Sequence, residues 1–368
     1  MLLDRSKFIV VSVTLLQHEK RGIKMKKHIL GICILTLSTA IMLSGCGSKA
    51  PANETTAPSD GTKEQIKITF ADYGSSKMAP AKGYQDGIAY IKEKTNGRIE
   101  IDYVPDAVLG NETEMIQQLM DGTMQMATLG TSTFSKFTDK LEAFQLPFLL
   151  TDYEKEQAAF ESPEGQALLA SAEDLGLKIV GFMENGIRHF ANNKRPIVTP
   201  EDLNGLILRV VPSTMLKEAV SMLGANPTPL NYGEVYTALQ NKVIDGEEIN
   251  ITSLYAMKHF ETIKYVSEIG MYPFPALVVF NLDFWNSLSA EDQKIITDGF
   301  KQGTDNLFEK HLPEFEVIAK EACVKAGVVF NVIDDKEAFR EKIAPIYETY
   351  KAKDPKIKAF IEAMVNYK

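Results

Sequence analysis

Ile66, Ile68 and Phe70 alternate with Lys67 and Thr69, the period of a half-buried strand. Tyr84, Ile88 and Ile91 then recur at helical spacing until Asn96-Gly97 stops them, so a strand is followed by a helix. Ile99, Ile101 and Tyr103 alternate again before Pro105, and Asn111 with Glu114 three residues later has the form of a capping box opening a helix that ends at Gly122. Met124 to Leu129, Leu177 to Phe182 and Leu206 to Val211 read as further strands, and Thr199-Pro200-Glu201-Asp202 as a helix start. The alternation predicts an α/β fold of largely parallel, doubly wound sheets. From Ser289 a helical pattern continues almost to Gly327, with a kink predicted at Pro313. A helix of that length can brace two lobes, and ligands in open α/β sheets bind beyond the carboxyl ends of strands, in the cleft such lobes would enclose.

The N-terminal segment has a different pattern. Lys26-Lys27 precedes an apolar run from Ile29 to Leu43 and then Ser44-Gly45-Cys46, the order of a secretory signal. The run is short for a membrane span. Leu43-Ser44-Gly45-Cys46 resembles the lipobox of bacterial lipoproteins, which makes Cys46 the expected lipid-bearing first residue of the mature chain. Met25 opens this pattern, so residues 1–24 read as an upstream start rather than as part of the fold. Residues 47–65, rich in small and polar side chains and Pro, read as a flexible tether.

Charge narrows the function. Residues 1–45 carry seven basic and two acidic side chains, a balance of +5, so the rest of this −9 chain stands at −14. Such a body repels phosphate backbones and argues against nucleic acid as a partner. With three cysteines and five histidines, none at metal-ligand spacing, no metal or other cofactor is expected. Neither a nucleophile elbow nor a phosphate-binding loop occurs, and Cys323 lies in an apolar helical pattern as a packed thiol. No enzyme is indicated.

Arg209 stands out because it interrupts the apolar run Leu206 to Val211. A guanidinium on a buried strand must meet an anion, either a structural partner such as Glu247 or Glu248, or a ligand. Arg188 has the alternative of a solvated rim charge, and Tyr232 and Tyr73 that of ordinary packing.

From Ile66 to about Ile333 the motifs fall in a specific order. Leu109-Gly110-Asn111-Glu112-Thr113-Glu114-Met115 comes first, then Lys194-Arg195-Pro196-Ile197, Thr199 to Leu206 and Leu208-Arg209-Val210. Leu223 to Pro229, Glu234 to Gln240 and Ile244-Asp245-Gly246-Glu247-Glu248 follow. Together they resemble the DctP-type substrate-binding proteins of the tripartite ATP-independent periplasmic (TRAP) transporters. The resemblance implies a two-lobed periplasmic-binding-protein architecture that closes on a small organic acid and delivers it to the membrane subunits of the carrier. It places Arg209 on the carboxylate-clamping arginine, Arg188 on a second supporting arginine and Tyr232 on an aromatic wall. Tyr73 and Thr131 fall where first-lobe residues reach the cleft, and Glu248 belongs to the ligand-site stretch. Where the family usually has an Asn after that Glu, this chain has Ile249, with Asn250 one position later; an apolar portion of the ligand is expected there. A fork-shaped guanidinium can make two parallel bonds to a carboxylate, which Lys cannot reproduce.

The domain organisation expected is residues 1–46 leader and lipoprotein signal, 47–65 tether, 66–188 first lobe with a return segment at 276–302, and 189–275 second lobe with C-terminal helices at 303–368. The protein is read as extracytoplasmic and held to the membrane through a lipid anchor. The alternatives are a ligand-sensing extracytoplasmic module and an enzyme acting on a carboxylated substrate.

Overall fold

The computed structural model describes residues 64–367; the leader, Cys46 and nearly all of the tether lie outside the described residues. Eleven strands build two sheets: β1 (Ile66–Ala71), β2 (Ile99–Val104), β3 (Met126–Gly130), β4 (Leu177–Glu184), β5 (His189–Asn192), β6 (Ile207–Val210), β7 (Asn226–Pro229), β8 (Gly246–Ile249), β9 (Tyr265–Glu268), β10 (Pro275–Asn281) and β11 (Val329–Val332). The first sheet has the order β2-β1-β3-β10-β4 and the second β11-β9-β5-β8-β6-β7. Residues 185–188 and 269–274 are the two strand-to-strand crossings between them.

The sheets are mixed, which corrects the expectation of largely parallel ones. β1 is parallel to β2 and β3, and β6 to β7 and β8. β10, however, is antiparallel to β3 and β4, and β5 is antiparallel to β8 and β9. Both exceptions enter their sheet directly from the other lobe, so no βαβ crossover dictates their direction.

Helix Glu112–Met120 begins in the capping box read from the sequence: Asn111 Oδ1 accepts from the Glu114 amide at 3.1 Å, and Glu114 Oε2 accepts from the Asn111 amide at 2.9 Å. The Thr199 start yields only one 3₁₀ turn, Pro200–Leu203, because Asn204-Gly205 ends it, with Gly205 at φ +79°.

Helix Ala290–Asn306 continues through a π-helical turn, Leu307–His311, into helix Leu312–Lys325. That turn stands where the kink was expected, directly before Pro313, which has no N–H to give the preceding turn. The first segment packs on helix Ala79–Lys94 and β4, the second on helix Ile251–Ala256 behind the second sheet, so the one long element braces both lobes. Contact with helix Ala79–Lys94 is close enough to exclude side chains: a Cβ on Gly303 would stand 2.3 Å from the Gly83 carbonyl oxygen.

The C-terminal helices do not belong to the second lobe alone. Helix Glu337–Lys353 packs on helix Thr214–Met222 of that lobe, whereas helix Pro355–Asn366 packs on Pro163–Leu169 of the first. Phe360 accordingly meets Phe144 at 4.7 Å between ring centroids, extending one hydrophobic core across the boundary. Among the described residues no helix is long and apolar enough to cross a membrane.

Candidate ligand-binding site

Leu208 and Val210 of β6 pack into the core, so strand alternation turns Arg209 to the other face, where it is almost fully buried. Its Nε donates to the Leu230 carbonyl at 3.1 Å. Neither glutamate considered as its partner takes the charge. Glu247 bonds His259 Nδ1 at 2.8 Å. Glu248 accepts from Arg188 Nε at 2.6 Å, from the Tyr272 hydroxyl at 2.7 Å and from the Val211 amide at 3.2 Å. Among the described residues no carboxylate lies within ion-pair distance of Arg209. Burial holds its guanidinium below the ordinary arginine range, with nearby Glu248 opposing that shift and Arg188 adding to it.

Arg188, on the first crossing, is buried rather than a rim charge. Besides its ion pair it donates from NH2 to the Glu248 carbonyl at 2.6 Å, and its guanidinium carbon lies 4.4 Å from the Phe274 ring centroid. Burial disfavours its charged form, but Glu248 and Tyr272 more than offset this and raise its pKa. The chain therefore holds two buried arginines of different standing, one neutralised internally and one not.

Both line one narrow cavity, together with Tyr73, Glu112, Asn185, Tyr232, Ser253 and Phe274. Tyr73, Gly74 and Met78 follow the carboxyl end of β1, Val211 that of β6, Tyr232 that of β7 and Ser253 that of β8, while Asn185, Arg188 and Phe274 come from the two crossings. The Tyr73 and Tyr232 rings, one from each lobe, meet edge to face at 6.4 Å. With Glu112 they also border an outer vestibule lined by Asp106, Asn111 and Asn231.

Of the residues singled out from sequence, Arg209, Arg188, Tyr232 and Tyr73 line the inner cavity. Glu248 lies behind it, its carboxylate engaged by Arg188, Tyr272 and Val211. Thr131 is fully buried after β3, outside the lining. Ile249 also stays outside, packed among Leu239, Leu254 and Val266, which corrects the expectation of an apolar ligand contact there. β8 pairs Ile249 with His189, and this register commits the side chain to the core. Asn250 caps helix Ile251–Ala256 through the Ser253 amide and donates to the Gly186 carbonyl at 3.3 Å, serving the crossing.

Sequence reasoning missed Glu112, Asn185, Ser253 and Phe274 as cavity residues. Glu112 Oε1 accepts from the Gly130 amide at 2.9 Å and the Thr133 hydroxyl at 2.7 Å. Burial raises its pKa; these bonds and Arg209 oppose the shift. In the sequence it looks like an ordinary first-turn acid. Among the described residues no His, Cys, Asp and Glu cluster could hold a metal ion, and Cys323 is buried, its thiol pushed up to about 11.

A family model described as bacterial extracellular solute-binding protein, family 7, matches residues 81–354. The 2,3-diketo-L-gulonate-binding periplasmic protein of Escherichia coli K12 is 32% identical over 268 residues, covering 73% of this chain and 80% of the relative. A TRAP periplasmic solute-binding protein of Anaerococcus prevotii, solved with bound D-glucuronate, is similar with a TM-score of 0.78 and 28% identity, covering 82% of this chain and 98% of the other. One from Desulfovibrio salexigens, solved with orotic acid, has a TM-score of 0.78 and 31% identity over 82% of this chain and 99% of the other. These relatives are named for the acids they bind and not for a reaction. A family match across most of the folded chain, joined to a cleft between two braced α/β lobes, shows that this protein belongs to the extracytoplasmic family 7 solute-binding proteins of TRAP transporters.

Proposed function

We propose that Arg209 clamps the carboxylate of a small organic acid, that Arg188 supports it with the donors its ion pair leaves over, and that Tyr73, Tyr232 and Phe274 wall the ligand. The observation that carries this reading is Arg209 itself: a buried guanidinium facing a cavity, bonded through Nε to a carbonyl and paired with no carboxylate among the described residues. Glu112, Asn185 and Ser253 supply acceptors and donors around the rest of the cavity, which suits a hydroxylated acid better than a plain hydrocarbon one. The acids in the solved relatives, glucuronate and orotate, carry such polar groups beside the acid function.

A thermal-shift series with D-glucuronate, D-galacturonate, 2,3-diketo-L-gulonate, orotate, pantoate and succinate tests the class, since a ligand that binds only the folded state raises its stability by mass action. At least one acid is expected to raise Tm in the wild type and to lose that effect in Arg209→Ala. Equal shifts in the two proteins would refute the role of Arg209.

The captured acid is delivered to the membrane subunits of a TRAP carrier, and the signal-like run ending in Leu43-Ser44-Gly45-Cys46 supports anchoring through a lipid on Cys46. Cys46→Ala is expected to move the protein from the membrane to the soluble fraction; unchanged fractionation would refute the anchor.

A further inference from the structure

Apart from the ligand cavity, the densest unexplained chemistry lies where the two crossings meet. Four buried or half-buried acidic and phenolic groups gather there: Tyr153 and Glu156 on helix Tyr153–Glu161, Glu184 at the end of β4, and Glu316 on the bracing helix. Glu156 and Glu184 are fully buried. No Lys, Arg or His forms an ion pair with either among the described residues. Both Glu156 oxygens and Glu184 Oε2 lack an ordinary donor, while the two carboxyl groups are within hydrogen-bonding reach of each other.

Two adjacent carboxylates in such a place cannot both keep their charge, and the simplest resolution is one proton between them. The geometry says which group carries it. Glu184 Oε1 accepts from the Gly186 amide at 2.5 Å and the Phe274 amide at 2.9 Å, bonds that favour the anion. Glu156 has no such donors, so it is the acid that donates to Glu184. Burial, followed by the neighbouring carboxyl, raises Glu156 well above its ordinary value; Glu184 is raised too, against its backbone bonds.

Gly186 belongs to the first crossing and Phe274 to the second, so a single carboxylate oxygen ties the two links between the lobes. Tyr153 adds a third tie: its hydroxyl accepts from the Ile187 amide at 3.3 Å and donates to Glu316. We propose that Glu156 and Glu184 share one proton and that this proton latches the two crossings, so that opening between the lobes is pH-sensitive. The groups facing the pair are Tyr153 and Glu316. Tyr153 is a neutral phenol, and Glu316 disfavours a second negative charge there, so loss of the proton drives the latch apart.

The sign follows from proton linkage. The latched state keeps a proton that a water-exposed carboxyl would release above its ordinary range, so the latch is complete in acid and weakens as pH rises through the pair's raised titration. Hydrogen exchange at Gly186 and Phe274 reads this directly in the ligand-free full chain, independently of any assignment to the binding cavity. After correction for intrinsic base catalysis, wild-type protection at both amides is expected to fall about tenfold or more as pH rises from the ordinary carboxylate range into the alkaline range. In Glu156→Gln, whose amide donates at every pH, protection should stay high and flat, and Glu316→Gln should keep a slope. Wild-type protection independent of pH would overturn the latch whatever the variants do, and so would an unaltered slope in a folded Glu156→Gln protein.

Discussion

Replacing Arg209 by Met separates two effects that a packing residue would keep together. In the ligand-free protein the guanidinium is buried, bonded to the Leu230 carbonyl and without a carboxylate partner among the described residues. Exchanging a buried charge for an apolar side chain of similar volume is commonly neutral or stabilising, by about 1–4 kcal/mol. Loss of the bond to Leu230 takes back about 1 kcal/mol, leaving a net gain of about 0–3 kcal/mol. At about 2 °C per kcal/mol for a domain of this size, Tm of the ligand-free variant should rise by up to about 6 °C. Affinity should move the other way, because the ligand's carboxylate would then be buried unpaired. The penalty is about 3–5 kcal/mol, or roughly two to four decades in Kd. Differential scanning fluorimetry without ligand and calorimetric titration with the acid that gives the largest wild-type shift measure the two halves. A variant destabilised by several kcal/mol that still binds with wild-type affinity would refute the reasoning, since Arg209 would then be a structural member of the core.

Glu248→Gln leaves Arg188 buried without its counter-charge and should lower stability by about 3–5 kcal/mol; Arg188→Met added to it should recover part of the loss, as read in urea melts. Gly303→Ala sets helix propensity, worth about 1 kcal/mol in favour of Ala, against a Cβ only 2.3 Å from the Gly83 oxygen, a backbone atom that cannot swing away. An overpacking penalty of about 1–3 kcal/mol less that gain leaves a net loss of up to about 2 kcal/mol, so the clash should win and lower Tm by up to about 4 °C. His189, whose Nδ1 accepts from the Gly270 amide at 3.1 Å, is held at about 3 by burial, then by Lys336, Lys320 and Arg188. Its folded value is depressed, so its neutral form supports the fold fully above about pH 6.5 and that support is lost as pH falls toward the folded value. His189→Gln should flatten this acid-side slope in denaturant melts; an unchanged slope would show that other groups set it.

Local periodicity was a good guide to elements, because it records which face each residue buries. β1, β2, the Asn111 capping box and the long helix from Ala290 all answer to alternation or capping visible in a few consecutive residues. Strand direction was less legible. A return of residues 276–302 to the first lobe was expected, but nothing in the apolar run Pro275–Asn281 says that it will lie antiparallel to β3. At the cavity, Arg209 betrayed itself by breaking an apolar run, whereas the pairing of Arg188 with Glu248 joins residues sixty positions apart and needs the fold to be seen. Glu112 was hidden by a second plausible role, an acid favoured near a helix start by the dipole. Ile249 misled because family position suggested the cavity, while the pairing of β8 with β5 turned its side chain into the core.

The distribution of these residues explains how binding and closure can be one event. Asn185, Arg188 and Phe274 line the cavity and also form the crossings, and the backbone bonds of those crossings run between the same two links: Arg188 N–H to Tyr272 at 2.8 Å, Met271 N–H to Arg188 at 2.9 Å. On the proposed reading, an acid drawn to Arg209 on the second lobe would meet Tyr73 and Glu112 from the first and Arg188 from the link between them. Its contacts are complete only when both lobes and the link adopt this arrangement, so the closed state gains binding energy that an open state forgoes. Glu248 neutralises Arg188 within the chain and holds the link in place, which on that reading leaves the Arg209 charge for the solute.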